Sequence, residues 1–291
     1  MLAFSRGDLV KYEDTTREMR EMMREITKAI IPVAGWGTRM LPITKAIEKC
    51  MLPIGTRPLV DYVVQDCLRA GIDEVIFIVG EQSTQLEQYY RSNTYLDDYL
   101  RRSSKADKLP LVAPIEAKLH FTTQASHGKH GTAAAVALAA EYINEGESAV
   151  VLMGDDFIYN ADGSNEIARL IEATPEGGCG LLAVEIAPEE VSRYGVIDMD
   201  EQGNYRQIVE KPAPEDAPSN LINIGKYILT KEVIELCQSV EKSTRGEYEL
   251  PDAINTYVTN GGTVKVTPAV GQYLDGGSPE GWLHANNVVC G

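Results

Sequence analysis

The stretch AIIPVAGWGTRM, residues 29–40, decides how the rest of the chain is interpreted. It begins as an apolar run typical of a buried strand and then breaks at Gly35 and Gly37. In open α/β proteins, ligands collect outside the carboxyl ends of the strands, where such a turn would lie. Glycines let the backbone approach a phosphate closely, and successive N–H groups can point at its oxygens. The stretch therefore predicts half of an anion site.

Three cations follow this turn, Arg39, Lys45 and Lys49, although the whole chain carries a formal net charge of −16. The glycines alone are typical of a plain strand–helix turn, but the cations favour a phosphate site. The dinucleotide motif G-x-G-x-x-G fails because Met40 occupies the third glycine position. The string G-x-x-x-x-G-K-[ST] does not occur in the chain.

The composition of the 291 residues is that of an ordinary soluble domain, with 44% hydrophobic and 24% charged residues. The acidic balance argues against nucleic acid or an anionic membrane as the main partner. An anionic small molecule would have to meet locally placed cations or a metal ion. The five cysteines are scattered without a C-x-x-C pair, and no long apolar run or good signal peptide is present. We therefore expect a cytoplasmic protein without a membrane span.

Apolar runs alternate with amphipathic segments from residue 28 onward, which predicts a mostly parallel sheet covered by helices on both faces. This is an α/β fold. Strands are predicted at 29–34, 75–79, 119–123, 149–153 and 181–186, and helices at 61–70, 83–90, 132–143 and 166–172.

The pattern changes after the strand at 181–186. RYGVIDMDEQGNYRQIVEKP, residues 193–212, predicts two strands joined by a turn, and NIGKYILT, residues 223–230, a further strand. This mixed half is expected to carry a second substrate. Residues 1–27 are interpreted as a charged N-terminal extension with a loose helical stripe, residues 28–291 as one domain, and residues 93–114 as an inserted excursion.

Two consecutive strings in the chain, G-x-G-T-R-[ML]-x-P-x-[TS]-K and K-x-M-L-P, resemble the signature of the sugar-phosphate nucleotidylyltransferases. With Thr44-Lys45, the form is most similar to bacterial members that act on UTP and glucose 1-phosphate. The resemblance extends from Lys28 to about Trp282 through separated motifs in the family's order. It implies a Rossmann-like, mixed but mostly parallel sheet of the nucleotide-diphospho-sugar transferase type, one nucleotidylyltransferase domain and a homo-oligomer.

Gln124 at a predicted strand end and Gly131 at a helix start match the family's base-reading segment. An amide both donates and accepts, so it can pair with the N3–H and O4 edge of uracil. Taken alone, Gln124 is more often just a polar strand end. By the resemblance, the nucleotide-binding residues are Ala34, Gly35, Gly37, Thr38, Gln124 and Gly131.

Asp155 and Asp156 directly follow a buried strand. Mg²⁺ usually takes one or two protein carboxylates together with substrate phosphates. An Asp pair can also merely end a strand, but its place after an apolar run makes Asp155 a candidate ligand. The resemblance assigns Asp155 and Asp275, the latter from the family's D-x-G string, as ligands of Mg²⁺.

The resemblance also assigns the sugar-phosphate side. Gly195 would line the sugar through its backbone, Glu210 would accept hydrogen bonds from its hydroxyls, and Lys211 would hold its phosphate. The implied reaction is attack of glucose 1-phosphate on the α-phosphorus of UTP. The attacking oxygen is already ionised near neutral pH, because the second pKa of a phosphate monoester is about 6. Arg39, Lys49 and Lys211 would then act by position and charge, without a general base.

The chain departs from the family pattern at several positions. Glu48 stands where proline is usual and could weaken the pull of Lys49 on phosphate, Cys50 stands where glutamate is usual, and Trp36 is larger than the usual loop residue. Three alternatives stay open: a thymidylyltransferase, a uridylyltransferase for another sugar 1-phosphate, and a non-catalytic nucleotide-sugar-binding regulatory protein. A nicotinamide-dependent oxidoreductase is disfavoured by the missing third glycine.

Overall fold

A nine-stranded mixed sheet organises the chain in the computed structural model, which describes residues 26–291. The helical stripe predicted within residues 1–27 lies almost wholly outside the described residues. In chain order the strands are β1 (Lys28–Pro32), β2 (Pro53–Ile54), β3 (Arg57–Pro58), β4 (Glu74–Gly80), β5 (Lys118–Gln124), β6 (Ser148–Leu152), β7 (Asp156–Tyr159), β8 (Cys179–Glu185), β9 (Gly195–Met199), β10 (Tyr205–Glu210), β11 (Leu221–Thr230), β12 (Val264–Pro268) and β13 (Gln272–Asp275).

Helices connect these strands and flank the sheet. They are α1 (Leu59–Arg69), α2 (Gln85–Tyr90), α3 (Thr94–Arg102), α4 (Thr132–Ala137), α5 (Glu166–Ala173), α6 (Lys231–Leu236), α7 (Leu250–Thr259) and α8 (Pro279–Cys290). None of these helices is both long and apolar enough to cross a membrane, a statement that covers residues 26–291.

Four neighbouring strands, in the order β6-β1-β4-β5, form the parallel half of the sheet. Their side chains are apolar in unbroken runs, since both faces of such strands are covered. Ile30 and Ile31 illustrate this, because each is fully buried and they belong to core clusters on opposite faces. The predicted parallel sheet is confirmed, with strand bounds within about two residues of the expectation.

The second half of the sheet is mixed, as the change of pattern after residue 181 predicted: most of its pairings are antiparallel, but β12 runs parallel to β8. β11 runs antiparallel to β6, and β8 pairs with its other edge. The β9–β10 hairpin joins β11 through Ile222 and Val196. The hairpin therefore lies beside the carboxyl end of β6, where it forms a second wall of the edge that carries the glycine turn.

Each face of the sheet has its own core. On one face Val63 of α1, Ile167 of α5 and Ala285 of α8 pack with the sheet, and on the other Val136 of α4 and Ile254 of α7 do so. α1 buries residues at helical spacing on one side, as an amphipathic helix must. Helices on both faces, the predicted architecture, are confirmed.

One predicted element is shorter than expected, and one strand was not predicted. The alanine-rich helix predicted at 132–143 ends at Ala137, and a short 3-10 turn at Ala140–Tyr142 follows. Tyr142 is thereby brought to the sheet, where its hydroxyl meets Thr122 Oγ1 at 3.0 Å and its carbonyl accepts from Lys28 Nζ at 2.9 Å. The strand β7 was not expected after the Asp pair, yet it pairs antiparallel with β13.

Candidate active site

The glycine turn lies at the carboxyl end of β1 and is held against the segment that carries Lys49. Gly37 has a left-handed backbone with φ 62°. A β-carbon at Gly37 would lie 2.9 Å from Lys49 Cβ and 3.0 Å from Thr44 Cγ2, so only glycine fits without a shift. Thr44 Oγ1 also donates to the Gly37 carbonyl at 2.9 Å. The glycine turn and the segment that carries Thr44 and Lys49 are therefore packed directly against each other.

Lys49 points from this segment to the end of β6. Its ammonium forms an ion pair with Asp155, and its side chain is 13% exposed while that of Asp155 is 36% exposed. Burial would raise the pKa of Asp155, but Lys49, with smaller contributions from Lys226 and Arg39, outweighs it and lowers that pKa. Asp155 is therefore ionised near neutral pH and available as an oxygen ligand.

The pairing of β7 with β13 brings Asp275 to the same place. Asp275 is in register with Asp156, and the Asp155 carbonyl accepts from the Gly276 N–H at 3.0 Å. A β-carbon on Gly277 would lie 2.9 Å from Asp275 Oδ1, 3.2 Å from Asp155 Oδ2 and 2.9 Å from Lys49 Nζ. The two carboxylates and the ammonium thus surround one glycine.

These two carboxylates fit a divalent cation of the magnesium type. Within residues 26–291 no group of three or more His, Cys, Asp or Glu side chains could hold a metal by itself. Mg²⁺ binds through one or two carboxylates and completes its shell with phosphates and water, so a two-carboxylate donor set suits it when a phosphate ligand is present. A closed structural zinc site, in contrast, would need four protein ligands.

A buried network supports this edge from behind. Asp156 is ion-paired with Lys226, which is 3% exposed and also donates to the Met153 carbonyl at 3.1 Å. Tyr273 Oη donates to Asp156 Oδ2 at 3.0 Å. Burial, reinforced by the charge of Asp155, raises the pKa of Asp156 to about 6 in spite of Lys226. Asp156 is therefore a partner within the core, and Asp155 is the carboxylate that faces the cleft.

A cavity of about 490 Å³ opens beside Lys49 and Asp155. All six predicted nucleotide-binding residues line it: Ala34, Gly35, Gly37, Thr38, Gln124 and Gly131. A smaller cavity of about 240 Å³ adjoins it, and Trp36, Lys49 and Gln124 line both. Trp36 is 67% exposed, so its indole forms part of an open wall. Together the cavities have the size of a nucleotide site.

Gly131 connects this cavity to the other half of the molecule. Its φ is 123°, and a β-carbon there would lie 2.3 Å from the Tyr248 carbonyl oxygen. The Tyr248 N–H donates to the His130 carbonyl at 2.9 Å, and the Tyr248 carbonyl accepts from Ala133 N–H at 2.9 Å. These bonds fasten the segment around Tyr248 to the start of α4.

The predicted sugar-phosphate residues lie on the β9–β10 hairpin. Gly195 is paired with Glu210, and a β-carbon on Gly195 would lie 2.9 Å from Glu210 Oε2. Glu210 Oε1 accepts from Arg245 at 2.6 Å, and Arg245 also lies 3.5 Å from Glu249. Lys211 is exposed with a left-handed φ of 48°, and its N–H donates to the Tyr194 carbonyl at 3.0 Å.

The structure brings most of the predicted residues to one edge of the sheet and separates a few. Gly195, Glu210 and Lys211 form a neighbouring group on the hairpin and do not line the nucleotide cavity. Arg39 is exposed on the turn and does not line it either, although its charge acts on Asp155.

Sequence reasoning missed the buried Lys226, the half-buried Tyr273 and the exposed Arg245. Lys226 lies in the stretch 223–230, which was predicted only as a strand, and nothing in the sequence connects it with Asp156 seventy residues away. Tyr273 precedes the D-x-G string, and its role depends on the unexpected β7–β13 pairing. Arg245 gave no local signal of its contact with Glu210.

A mixed α/β sheet whose glycine turn, lysine and paired aspartates converge at its carboxyl edge defines a phosphate-handling protein of the nucleotide-binding class. The chain belongs to the nucleotidyl transferase family, whose model matches residues 28–290.

Named relatives make this likeness more specific. The chain is 34% identical over 267 residues to UTP–glucose-1-phosphate uridylyltransferase of Pseudomonas aeruginosa, covering 90% of this chain and 95% of that one. Among solved structures, it is similar to a UTP-bound UGPase from Acinetobacter baumannii with a TM-score of 0.81, 28% identity, and coverage of 91% of this chain and 93% of the other. It also resembles a UDP-glucose pyrophosphorylase complexed with UDP-glucose, with a TM-score of 0.79, 30% identity, and coverage of 91% and 99%.

Proposed function

We propose that this chain transfers a uridylyl group from UTP to glucose 1-phosphate, giving UDP-glucose and pyrophosphate. The observation that carries the proposal is the convergence of Lys49, Asp155 and Asp275 around Gly277, beside the cavity that the glycine turn lines. The relatives named for this reaction match the chain over nine-tenths of its length. In the reaction an oxygen of glucose 1-phosphate bonds to the α-phosphorus of UTP, and the bond from that phosphorus to the bridging oxygen of pyrophosphate breaks.

The nucleotide side holds UTP in this proposal. The backbone of the glycine turn and Arg39 bind the triphosphate, and Gln124 pairs with the N3–H and O4 edge of uracil. Lys49 offsets the negative charge that grows on the leaving pyrophosphate. Because this charge develops in the transition state, an ammonium fixed in advance acts mainly on turnover.

The sugar side presents the nucleophile. Lys211 holds the phosphate of glucose 1-phosphate, while Glu210 and the Gly195 backbone contact the sugar. Glu210 of the hairpin is paired with Arg245, which precedes α7, so a carboxylate and a cation already lie side by side here. The attacking phosphate oxygen is ionised near neutral pH, so orientation and charge suffice and no proton needs to be removed.

Asp155 and Asp275 would hold the divalent cation, which we propose to be Mg²⁺. When bound, it would offset the charge of the phosphates that approach one another. The ammonium of Lys49 lies against Asp155, so Lys49 and a cation held by Asp155 and Asp275 would supply positive charge to the same part of the site.

Nucleotide choice tests the proposal. UTP, dTTP, ATP, CTP and GTP are supplied separately with glucose 1-phosphate and Mg²⁺, and pyrophosphate release is followed. We expect the highest kcat/KM with UTP. Greater turnover with dTTP would assign the chain to thymidylyl transfer, and no release with any nucleotide would contradict the proposal for glucose 1-phosphate.

We further propose that the protein works in the cytoplasm as a homo-oligomer. The five cysteines all lie in the described residues and are free, four of them buried, which suits a reducing compartment. Size-exclusion chromatography with light scattering would measure the assembly, and a monomer at working concentration would contradict this part.

A further inference from the structure

Glu48, which stands beside Lys49, turns its carboxylate away from the lysine and toward the start of α2. Its Oε1 accepts from the N–H groups of Thr84 and Gln85 at 2.7 and 2.8 Å. Its Oε2 accepts from Ser83 Oγ at 2.7 Å. Three donors therefore satisfy the carboxylate, and two of them belong to the unpaired N–H groups that begin a helix.

Gln85 returns the contact from the other side. Its Oε1 accepts from the Glu48 N–H at 2.9 Å, and its Nε2 donates to the Ala46 carbonyl at 2.8 Å. The result is a reciprocal set of five hydrogen bonds between residues 46–48 and 83–85, which we name the Glu48–Gln85 clasp. The two segments are far apart in sequence and both follow carboxyl ends of parallel strands.

The clasp lies directly before the turn that presents Lys49. The Glu48 carbonyl accepts from the Met51 N–H at 2.8 Å, closing the short 3-10 turn Lys49–Met51. Glu48 therefore fixes this turn through its backbone and ties it to the end of β4 through its side chain. The Glu48 carboxylate is directed at the N–H groups that begin α2 and forms no ion pair with Lys49, and whether it weakens the pull of Lys49 on phosphate stays a prediction.

We propose that Glu48 and Gln85 are positioning residues for Lys49. This chain carries Glu48 where the resembled family usually has a proline, which restricts a turn through its ring. Here hydrogen bonds to a neighbouring segment hold the turn instead. The clasp keeps the Lys49 ammonium at Asp155 and at the phosphates, and this reading rests on the proposed function for its effect on turnover.

A double-mutant cycle with Lys49 tests the proposal. A displacement of about 1 Å at a catalytic group can cost as much as a hundredfold in rate. We expect Glu48→Ala to lower kcat about tenfold and to change KM for UTP less than about threefold, since the lysine acts mainly in the transition state. In a Lys49→Ala background, Glu48→Ala should leave kcat unchanged. An equal further loss in that background would overturn the proposal.

Two further variants separate positioning from general damage. Glu48→Gln keeps acceptor capacity toward α2 and should recover most of the lost kcat. Glu87→Ala removes a charge from the first turn of the same helix, and its exposed side chain makes no hydrogen bond within the described residues, so it should not alter kcat. If Glu87→Ala lowered kcat as much as Glu48→Ala, the loss would come from removing a negative charge near α2 and not from breaking the clasp. That result would contradict the proposal.

Hydrogen exchange tests the clasp without any turnover. In the unliganded protein, Glu48→Ala and Gln85→Ala should each speed amide exchange at residues 48–51 and 84–85 by about tenfold, because each amide loses a shared restraint. Unchanged exchange at residues 48–51 in both variants would contradict the clasp even if the enzyme were fully active. If the chain did not turn over UTP and glucose 1-phosphate, this exchange result would still decide about the clasp.

Discussion

Lys49 is the residue on which the proposed chemistry depends most. Its ammonium forms an ion pair with Asp155 and lies beside both cavities. We expect Lys49→Ala to lower kcat by about 10²–10³-fold, the range seen when one preorganised donor at a developing charge is removed. The melting temperature should change by no more than about 3 °C, because the ion pair of Lys49 lies at the cleft, where Asp155 is 36% exposed to solvent.

The control for this variant is Lys108→Ala, which removes the same charge from an exposed turn of the inserted excursion. Turnover with UTP and glucose 1-phosphate and thermal melting are measured side by side. Near-normal kcat in Lys49→Ala would exclude the assigned role.

Glu147 gives a residue-scale prediction about pH. Partial burial would raise its pKa, but hydrogen bonds from Lys28 and from Asn144 outweigh this and lower the pKa from 4.5 to about 2. A carboxyl whose pKa is lower in the folded state stabilises the fold above its unfolded pKa, and the contribution disappears as the pH falls through the folded pKa. Glu147→Gln should therefore lower the melting temperature at pH 7, and the difference should shrink between pH 4.5 and 2.

The matched control is Glu145→Gln, on the same loop and exposed. It removes a charge without removing the contact with Lys28. If both variants behaved alike over this pH range, the Lys28–Glu147 pair would not be the cause.

At the scale of single residues, the sequence predicted the location of side chains that follow a strand. It predicted less well the location of side chains that depend on which strands pair with each other. Gln124 is the last residue of β5, and Asp155 lies just beyond β6, so their place at the carboxyl edge could be expected. Asp275 reaches the same edge through its register with Asp156, across more than a hundred residues. Its place was implied by resemblance, since no local pattern indicates that pairing.

Among elements, β11 depends on a buried charge that ties it to β7. Lys226 is fully enclosed against Asp156, and removing one partner of a buried pair leaves an uncompensated charge. We expect Lys226→Met to lower the free energy of unfolding by about 3 kcal/mol or more. Replacing both partners, as Lys226→Met with Asp156→Leu, should recover part of this loss. Urea denaturation measures both variants.

Lys265→Met on β12 serves as the comparison, because this lysine is exposed on a strand of the same sheet. Its free energy of unfolding should stay within about 0.5 kcal/mol of the original, as for most surface substitutions. If Lys226→Met cost no more than Lys265→Met, the buried pair would not stabilise the strand.

The bounds of the strands and helices show how far local sequence patterns can predict secondary structure. The strands of the parallel half follow from continuous apolar runs, and their bounds were predicted closely. The helix predicted at 132–143 has strong alanine propensity throughout, yet it ends at Ala137. Contacts of Tyr142 with Lys28 and Thr122 favour a turn there. Tertiary contacts of this kind override intrinsic propensity and are not visible in a local window.

For the whole molecule, the predicted boundary near residue 28 can be tested by shortening the chain. Ile26 packs against the core on the sheet face that α1 covers, and the Thr27 carbonyl accepts from the N–H groups of Asp73 and Glu74. We expect residues 26–291 to fold with unchanged melting temperature and turnover. Residues 30–291, which lose the Thr27 carbonyl and the Lys28–Glu147 pair, should melt lower. Lost turnover in the longer variant would assign residues 1–25 to the active protein.

In the proposed reaction the product, UDP-glucose, contacts both halves of the sheet. Its binding should therefore stabilise the fold more than binding of a ligand that contacts one half. UDP-glucose would contact the glycine turn on the parallel half and the β9–β10 hairpin on the mixed half, whereas UMP would contact the glycine turn alone. A ligand at a hundredfold excess over its Kd stabilises the fold by about 2.7 kcal/mol, and the gain grows with affinity. At equal concentration, UDP-glucose should therefore raise the melting temperature more than UMP does. Lys211→Ala should remove much of the difference and leave the UMP shift intact, because Lys211 lies on the hairpin outside the nucleotide cavity. Equal shifts for both ligands in the unaltered protein would mean that the hairpin does not bind the sugar phosphate. The assignment of the nucleotide to one half and of the sugar phosphate to the other would then be wrong.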